Sequence, residues 1–96
     1  MRVLPKATMD TEKANELIRS GKLPGPMKET LERLRPEAAC FGPVGGRRTA
    51  LPVLDMQDSS DLPSTDEPFF THPNAEVETV PVMNVEDMQK GLSGRR

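Results

Sequence analysis

The chain has 96 residues, of which 34% are hydrophobic and 29% charged, with a formal net charge of −2, one cysteine and one histidine. That length holds one domain and excludes a second core. The lone cysteine excludes an internal disulfide, and one Cys with one His cannot complete a four-ligand structural zinc site. The small net charge and only three aromatics, Phe41, Phe69 and Phe70, offer neither a basic patch nor a stacking platform for nucleic acid, and no membrane-surface anchor.

In chain order, residues 2–9 (Arg-Val-Leu-Pro-Lys-Ala-Thr-Met) predict a first strand. Asp10 or Thr11 then suits a helix N-cap, with Glu12 in the first turn where a negative charge favours the helix dipole. Ala14, Leu17 and Ile18 give that helix one apolar stripe, and Gly21 is a natural stop just past its end. After Leu23-Pro24-Gly25-Pro26, Pro26 is placed to open a second helix carrying Met27, Leu31 and Leu34 on one face. Glu29 and Arg33 are spaced to pair along it, and Pro36 closes it.

Residues 37–41 form a short apolar run, Gly42-Pro43-Val44-Gly45-Gly46 is turn chemistry, and residues 47–56 predict the return strand of a hairpin. Ser59 or Ser60 suits the cap of a helix reaching about Phe70, which Pro68 is expected to kink or end early. Residues 75–83 alternate at period two, as a final strand does. Asn84 with Asp87 three residues on resembles a capping box for a last short helix whose apolar side is Val85, Met88 and Leu92. The single domain is expected over 1–92 and a frayed tail over 93–96.

This order predicts an α+β, ferredoxin-like βαββαβ domain: a four-stranded antiparallel sheet with helices on one face and a short C-terminal helix. The other sheet face must then be polar or covered, and a thin core in a chain this short calls for a partner. A homodimer through the open sheet face meets both needs. Pro5 and Pro52 stand against this layout, because both fall in the two central strands and proline cannot donate to the ladder; a partly disordered chain is the rival reading. No apolar run has signal-peptide or membrane-span length, which with the single thiol points to the cytoplasm.

The stretches Pro36-Glu37-Ala38-Ala39-Cys40-Phe41, Gly46-Arg47-Arg48-Thr49 and Val53-Leu54-Asp55-Met56-Gln57-Asp58 resemble a small, largely uncharacterised bacterial family. So do Glu67-Pro68-Phe69-Phe70, Asn74-Ala75-Glu76-Val77-Glu78 and Pro81-Val82-Met83, with Glu86-Asp87 after them and Ala14-Asn15-Glu16-Leu17-Ile18 in the first helix. That family looks like part of the dimeric α+β barrel superfamily, similar in layout to muconolactone isomerase and to cofactor-free polyketide monooxygenases and cyclases. The resemblance implies a homodimer with a small pocket between sheet and helices, and no particular reaction. Cys40 stands where that family tends to have an aromatic, and Pro5 and Pro52 interrupt strands that usually read as aliphatic.

The candidate catalytic groups are His72, the one side chain that ordinarily titrates near neutral pH, and Glu67, on the helix expected to roof the pocket. His72 also reads as solvent-exposed in a turn-like loop, and the helix segment with Glu67 as core packing alone. The candidate ligand-binding residues are Arg48, whose fork of donors suits an anion; Phe69 and Phe70, one of them expected in the core; and Cys40, which otherwise reads as a small buried thiol. Asp55, Asp58 and Asp61 do not match a calcium loop and read as a strand end followed by a helix cap. Glu76 and Glu78 share a strand face and need cations beside them if that face meets a partner.

No phosphate loop, histidine cluster or Ser-His-Asp set occurs, so neither metal nor cofactor is expected. The expected function is a pocket protein acting on a small organic molecule as a cofactor-free isomerase or cyclase. The alternative is a non-catalytic dimeric module that binds a ligand or another protein.

Overall fold

The computed structural model describes residues 1–94; Arg95 and Arg96, the end of the tail expected to fray, lie outside them. Four strands, β1 (Arg2–Thr8), β2 (Ala38–Val44), β3 (Arg47–Asp55) and β4 (Glu76–Pro81), form one antiparallel sheet in the order β2-β3-β1-β4. Helices α1 (Thr11–Arg19) and α2 (Pro24–Leu34) join β1 to β2, α3 (Leu62–Thr71) joins β3 to β4, and α4 (Val85–Ser93) follows β4. The chain is therefore α+β, and among the described residues no helix is long and apolar enough to cross a membrane.

Local chemistry sets most of the boundaries. The Asp10 side chain accepts from the Lys13 N–H at 2.9 Å and starts α1. At its end Gly21, with φ +72°, lets its own N–H reach the Ile18 carbonyl and the Lys22 N–H reach the Leu17 carbonyl, the paired bonds of a Schellman stop. Asn84 and Asp87 form the reciprocal capping box of α4. The β2–β3 turn is shorter than its glycine- and proline-rich sequence suggests. Gly45 and Gly46, both at positive φ, make a two-residue hairpin loop, which leaves Gly42, Pro43 and Val44 in the strand.

Pro68 neither ends nor shortens α3, contrary to expectation, because α3 continues to Thr71. A proline at this position removes the N–H that the Ser64 carbonyl, four residues earlier, would accept. Arg33 on α2 supplies the missing donor, its Nη2 lying 3.0 Å from the Ser64 oxygen. That contact also replaces the Glu29–Arg33 pair expected from spacing; the pair found along α2 is Lys28–Glu32, at 4.0 Å.

The two central prolines are accommodated without a bulge. Val3 pairs with Leu54 and Ala7 with Ala50, so Pro5 stands opposite Pro52. The Met56 N–H donates to Met1 and the Met9 N–H to Arg48, which places the hydrogen-bonded pairs of this ladder at odd residues of β1. Pro5 and Pro52 thus occupy one hydrogen-bonded pair, where each would have donated to the other. The ladder is broken at a single rung, and the flanking pairs hold. On the outer strands Pro43 and Pro81 pair with Arg48 and Val3 at positions that direct the missing donor to the sheet edge, where it blunts edge pairing.

Alternation along β1 separates two sheet faces. Val3, Pro5, Ala7 and their neighbours Ala50, Pro52 and Leu54 are buried. Ala14 of α1, Phe69 of α3 and the partly buried Met27 and Leu34 of α2 pack against that side. The opposite face presents Leu4, Leu51, Val53, Cys40 and Val80 at its centre. Arg2 and Asp55 flank them at one end, and Lys6, Arg47, Glu76 and Glu78 at the other. All of these are half-exposed or exposed.

At one end of this open face Arg2 binds the Glu37 carboxylate at 2.9 Å and also Asp87 of α4. The hydrogen bond that Arg2 donates to Glu37, and then the charges of Glu37 and Asp87, raise the Arg2 pKa. Beyond this tether α4 is exposed at every residue. The radius of gyration, 15.0 Å, exceeds the ~12.5 Å of a compact chain of this length.

Candidate functional site

A cavity of about 740 Å³ opens between α2 and the outer part of the sheet, well within the usual range for a ligand site. Its walls are Leu23, Met27 and Leu31 from α2 and the loop before it, facing Met9, Phe41 and Pro43 from the sheet side. The cavity exists because α2 stands over β2 without closing on it. Ala39, Phe41 and Pro43, on the helix side of β2, are all exposed, and Phe41 retains 55% of its surface. Ala39 and Pro43 are too small to fill the gap and Phe41 lines it without closing it, whereas Phe69 of α3, 1% exposed, fills its own side of the sheet.

Polar groups enter the cavity at its rim. Arg48, adjacent to Met9 and Pro43 across the ladder, extends along the helix side of the sheet, and its Nη1 donates to the Asn15 Oδ1 of α1 at 2.8 Å. Lys28 and Glu32 line the α2 side and pair with each other. This arrangement can enclose an apolar body and meet one polar end.

Of the residues singled out from sequence, Arg48 alone lines this cavity. His72 and Glu67 do not. His72 caps α3, half-buried, with its Nε2 3.1 Å from the Lys22 carbonyl, and borders a smaller, polar depression with Glu29, Arg33 and Pro68. Glu67 is exposed on α3. Phe69 belongs to the core, Phe70 is exposed, and neither reaches the cavity. Cys40 is exposed rather than buried, and it pairs with Leu51 on the open face, across the sheet from the cavity.

The roof is α2 rather than α3, which moves the site to Met27 and Leu31. Their i, i+4 spacing marks an apolar helix face in the sequence but not that the face is left partly unpacked. Asp58 and Asp61 are engaged in the capping box that opens the turn before α3; bonds from Ser60 to the Asp58 carboxylate lower its pKa. Glu76 lies 3.5 Å from Arg47, and Glu78 stands beside Lys6 in the ladder.

One carboxyl is shifted upward. Asp66 of α3 is partly buried against β4; that burial raises its pKa, opposed by the Thr79 hydroxyl donating to it at 3.0 Å. It lies outside the cavity. In comparisons with known proteins the chain matches no family model and no curated sequence.

Proposed function

We propose that this protein is a small-molecule-binding module that acts as a homodimer, with a ferredoxin-like fold of the dimeric α+β barrel type. The observation that carries the binding reading is the cavity of about 740 Å³ with hydrocarbon walls and one arginine at its rim. We rank binding ahead of a cofactor-free isomerase or cyclase. General acid–base catalysis needs a free titrating group within reach of the ligand; His72 and Glu67 lie elsewhere, and the carboxylate that does line the cavity, Glu32, is paired with Lys28.

The strand order supports the ferredoxin-like assignment, with two helices rather than one in the first crossover and α4 added after β4. Surface area supports association. The chain exposes 6572 Å², whereas a compact monomer of its mass exposes about 5,500 Å². The excess is comparable with the ~800 Å² that each partner loses in an interface of standard size. Val80 on the open face and Met83, Val85, Met88 and Leu92 at and before α4 are among the exposed apolar side chains that contribute to that excess. An exposed, unpaired Cys40 suits a reducing compartment such as the cytoplasm.

The binding reading is tested by calorimetric titration with decanoate, 1-decanol and decylammonium below their micellar concentrations. At least one is expected to bind saturably, one per chain, and Leu31→Trp, which fills the cavity from α2, is expected to abolish that binding with the circular dichroism spectrum unchanged. Binding by none of the three, or binding that Leu31→Trp leaves intact, would refute it.

A further inference from the structure

The chemistry of the rim narrows the ligand class. We infer that the cavity under α2 selects an organic anion, a carboxylate on an apolar body, and that Arg48 reads the charge while Asn15 positions Arg48. This inference rests on the binding reading above and adds the identity of the polar end.

Three other cations of the sheet and of α2 are paired with carboxylates. Arg2 is bound by Glu37 and Asp87, Arg47 by Glu76, and Lys28 by Glu32. Among the described residues Arg48 pairs with no carboxylate. The one protein hydrogen bond of its side chain is to a neutral amide, Asn15 Oδ1. A guanidinium has five N–H donors in a rigid plane, so one donor fixes the group and the others remain for a ligand. An amide acceptor orients the arginine and leaves its charge uncompensated, which a carboxylate in the same place would not do.

Location strengthens the argument. Arg48 is exposed at the rim of an apolar cavity, so a ligand body that fills the cavity would itself remove solvent from one side of the contact, and ion pairs gain strength as solvent is removed. The opposite side of the rim carries Lys28 with Glu32, a pair with no net charge. The first turn of α2, where Leu23 and Pro24 border the cavity, holds no acidic residue to repel an anion. A carboxylate presented to Arg48 can accept two parallel N–H bonds, while the chain it carries covers Met9, Met27, Leu31 and Phe41.

The test compares ligands with the same ten-carbon body and different ends. Decanoate is expected to bind at least tenfold more tightly than 1-decanol, and decylammonium more weakly than either. Arg48→Gln should remove the preference for decanoate while leaving decanol affinity within twofold. Asn15→Ala should reduce the preference severalfold without removing it, and Lys28→Gln should leave it in place.

Equal affinity for decanoate and decanol in the unchanged protein overturns the inference but not the cavity reading. Retention of the preference in Arg48→Gln does the same. Failure of all three ligands removes both. A protein that gains decanoate binding only when Met88 and Leu92 are changed to Ser has its cavity filled by α4 of a second copy, which also overturns the inference.

Discussion

Replacing Pro5 or Pro52 with valine should stabilise this protein, although each proline is almost fully buried in a central strand. The two residues face each other across a hydrogen-bonded pair, so each lacks the N–H that its neighbour's carbonyl would accept. Valine at either site supplies one donor to a buried acceptor, an effect of about 1–3 kcal/mol. Loss of proline's restriction on the unfolded chain offsets about 0.4–1 kcal/mol. The added methyl groups must find room in a packed layer, which draws the result toward the lower end.

The net expectation is roughly 1 kcal/mol per site, or ~4–8 °C in Tm for a domain of this size. The two new bonds use different donors and acceptors, so Pro5→Val and Pro52→Val should add nearly fully in the double variant. Urea melts followed by circular dichroism measure this, at one fixed chain concentration because a dimer's stability depends on it. Hydrogen exchange supplies a second readout, since amides created at 5 and 52 should be protected as strongly as those of their neighbours. Destabilisation of both single variants by more than ~1 kcal/mol, or fast exchange at both new amides, would refute the opposed-proline register.

Arg33→Met leaves the Ser64 carbonyl without its cross-helix donor; a loss of about 1 kcal/mol is expected, and Pro68→Ala in the same chain should recover it because the α3 backbone then supplies the donor. Asp66→Asn should raise stability slightly at pH 7, by less than ~0.5 kcal/mol because the carboxylate is still largely solvated. Its folded-state pKa is raised, so the stability tied to its protonated form is complete below the ordinary aspartate range and lost as pH rises through the folded value. The advantage of Asn over Asp should therefore vanish in melts taken below about pH 3.8. Light scattering should give twice the chain mass for the unchanged protein and the single-chain mass for Leu51→Lys, which places a charge at the centre of the open face. A monomer with an undiminished cooperative melt before any substitution would end the homodimer proposal.

Features decided within a few residues were readable from the chain alone. Asp10 as a cap, Gly21 as a stop, and the Asn84–Asp87 box depend only on neighbours in sequence. What the sequence concealed depended on distant partners. Pro68 looks like a helix breaker until Arg33, 31 residues before Ser64, is seen to serve the freed carbonyl. Pro5 and Pro52 look like two separate defects until the strand register merges them into one.

The same distinction governs the candidate site. Arg48 is identifiable because an arginine beside a tight turn has few apolar roles. Cys40 reads as buried because its neighbours are alanines, but the β2–β3 register turns it to the open face, away from the helices. That the cavity lies beneath α2 follows from a helix that does not close over Ala39, Phe41 and Pro43 of β2, a property of neither segment alone.

The central claim is that the space under α2 is the ligand site. Methyl-detected NMR during titration with decanoate tests it most directly. Saturable shifts confined to Met9, Leu23, Met27 and Leu31 are predicted, with Leu4, Leu51 and Val53 on the open face unmoved. Shifts confined to the open-face methyl groups, or none at saturating decanoate, would contradict it.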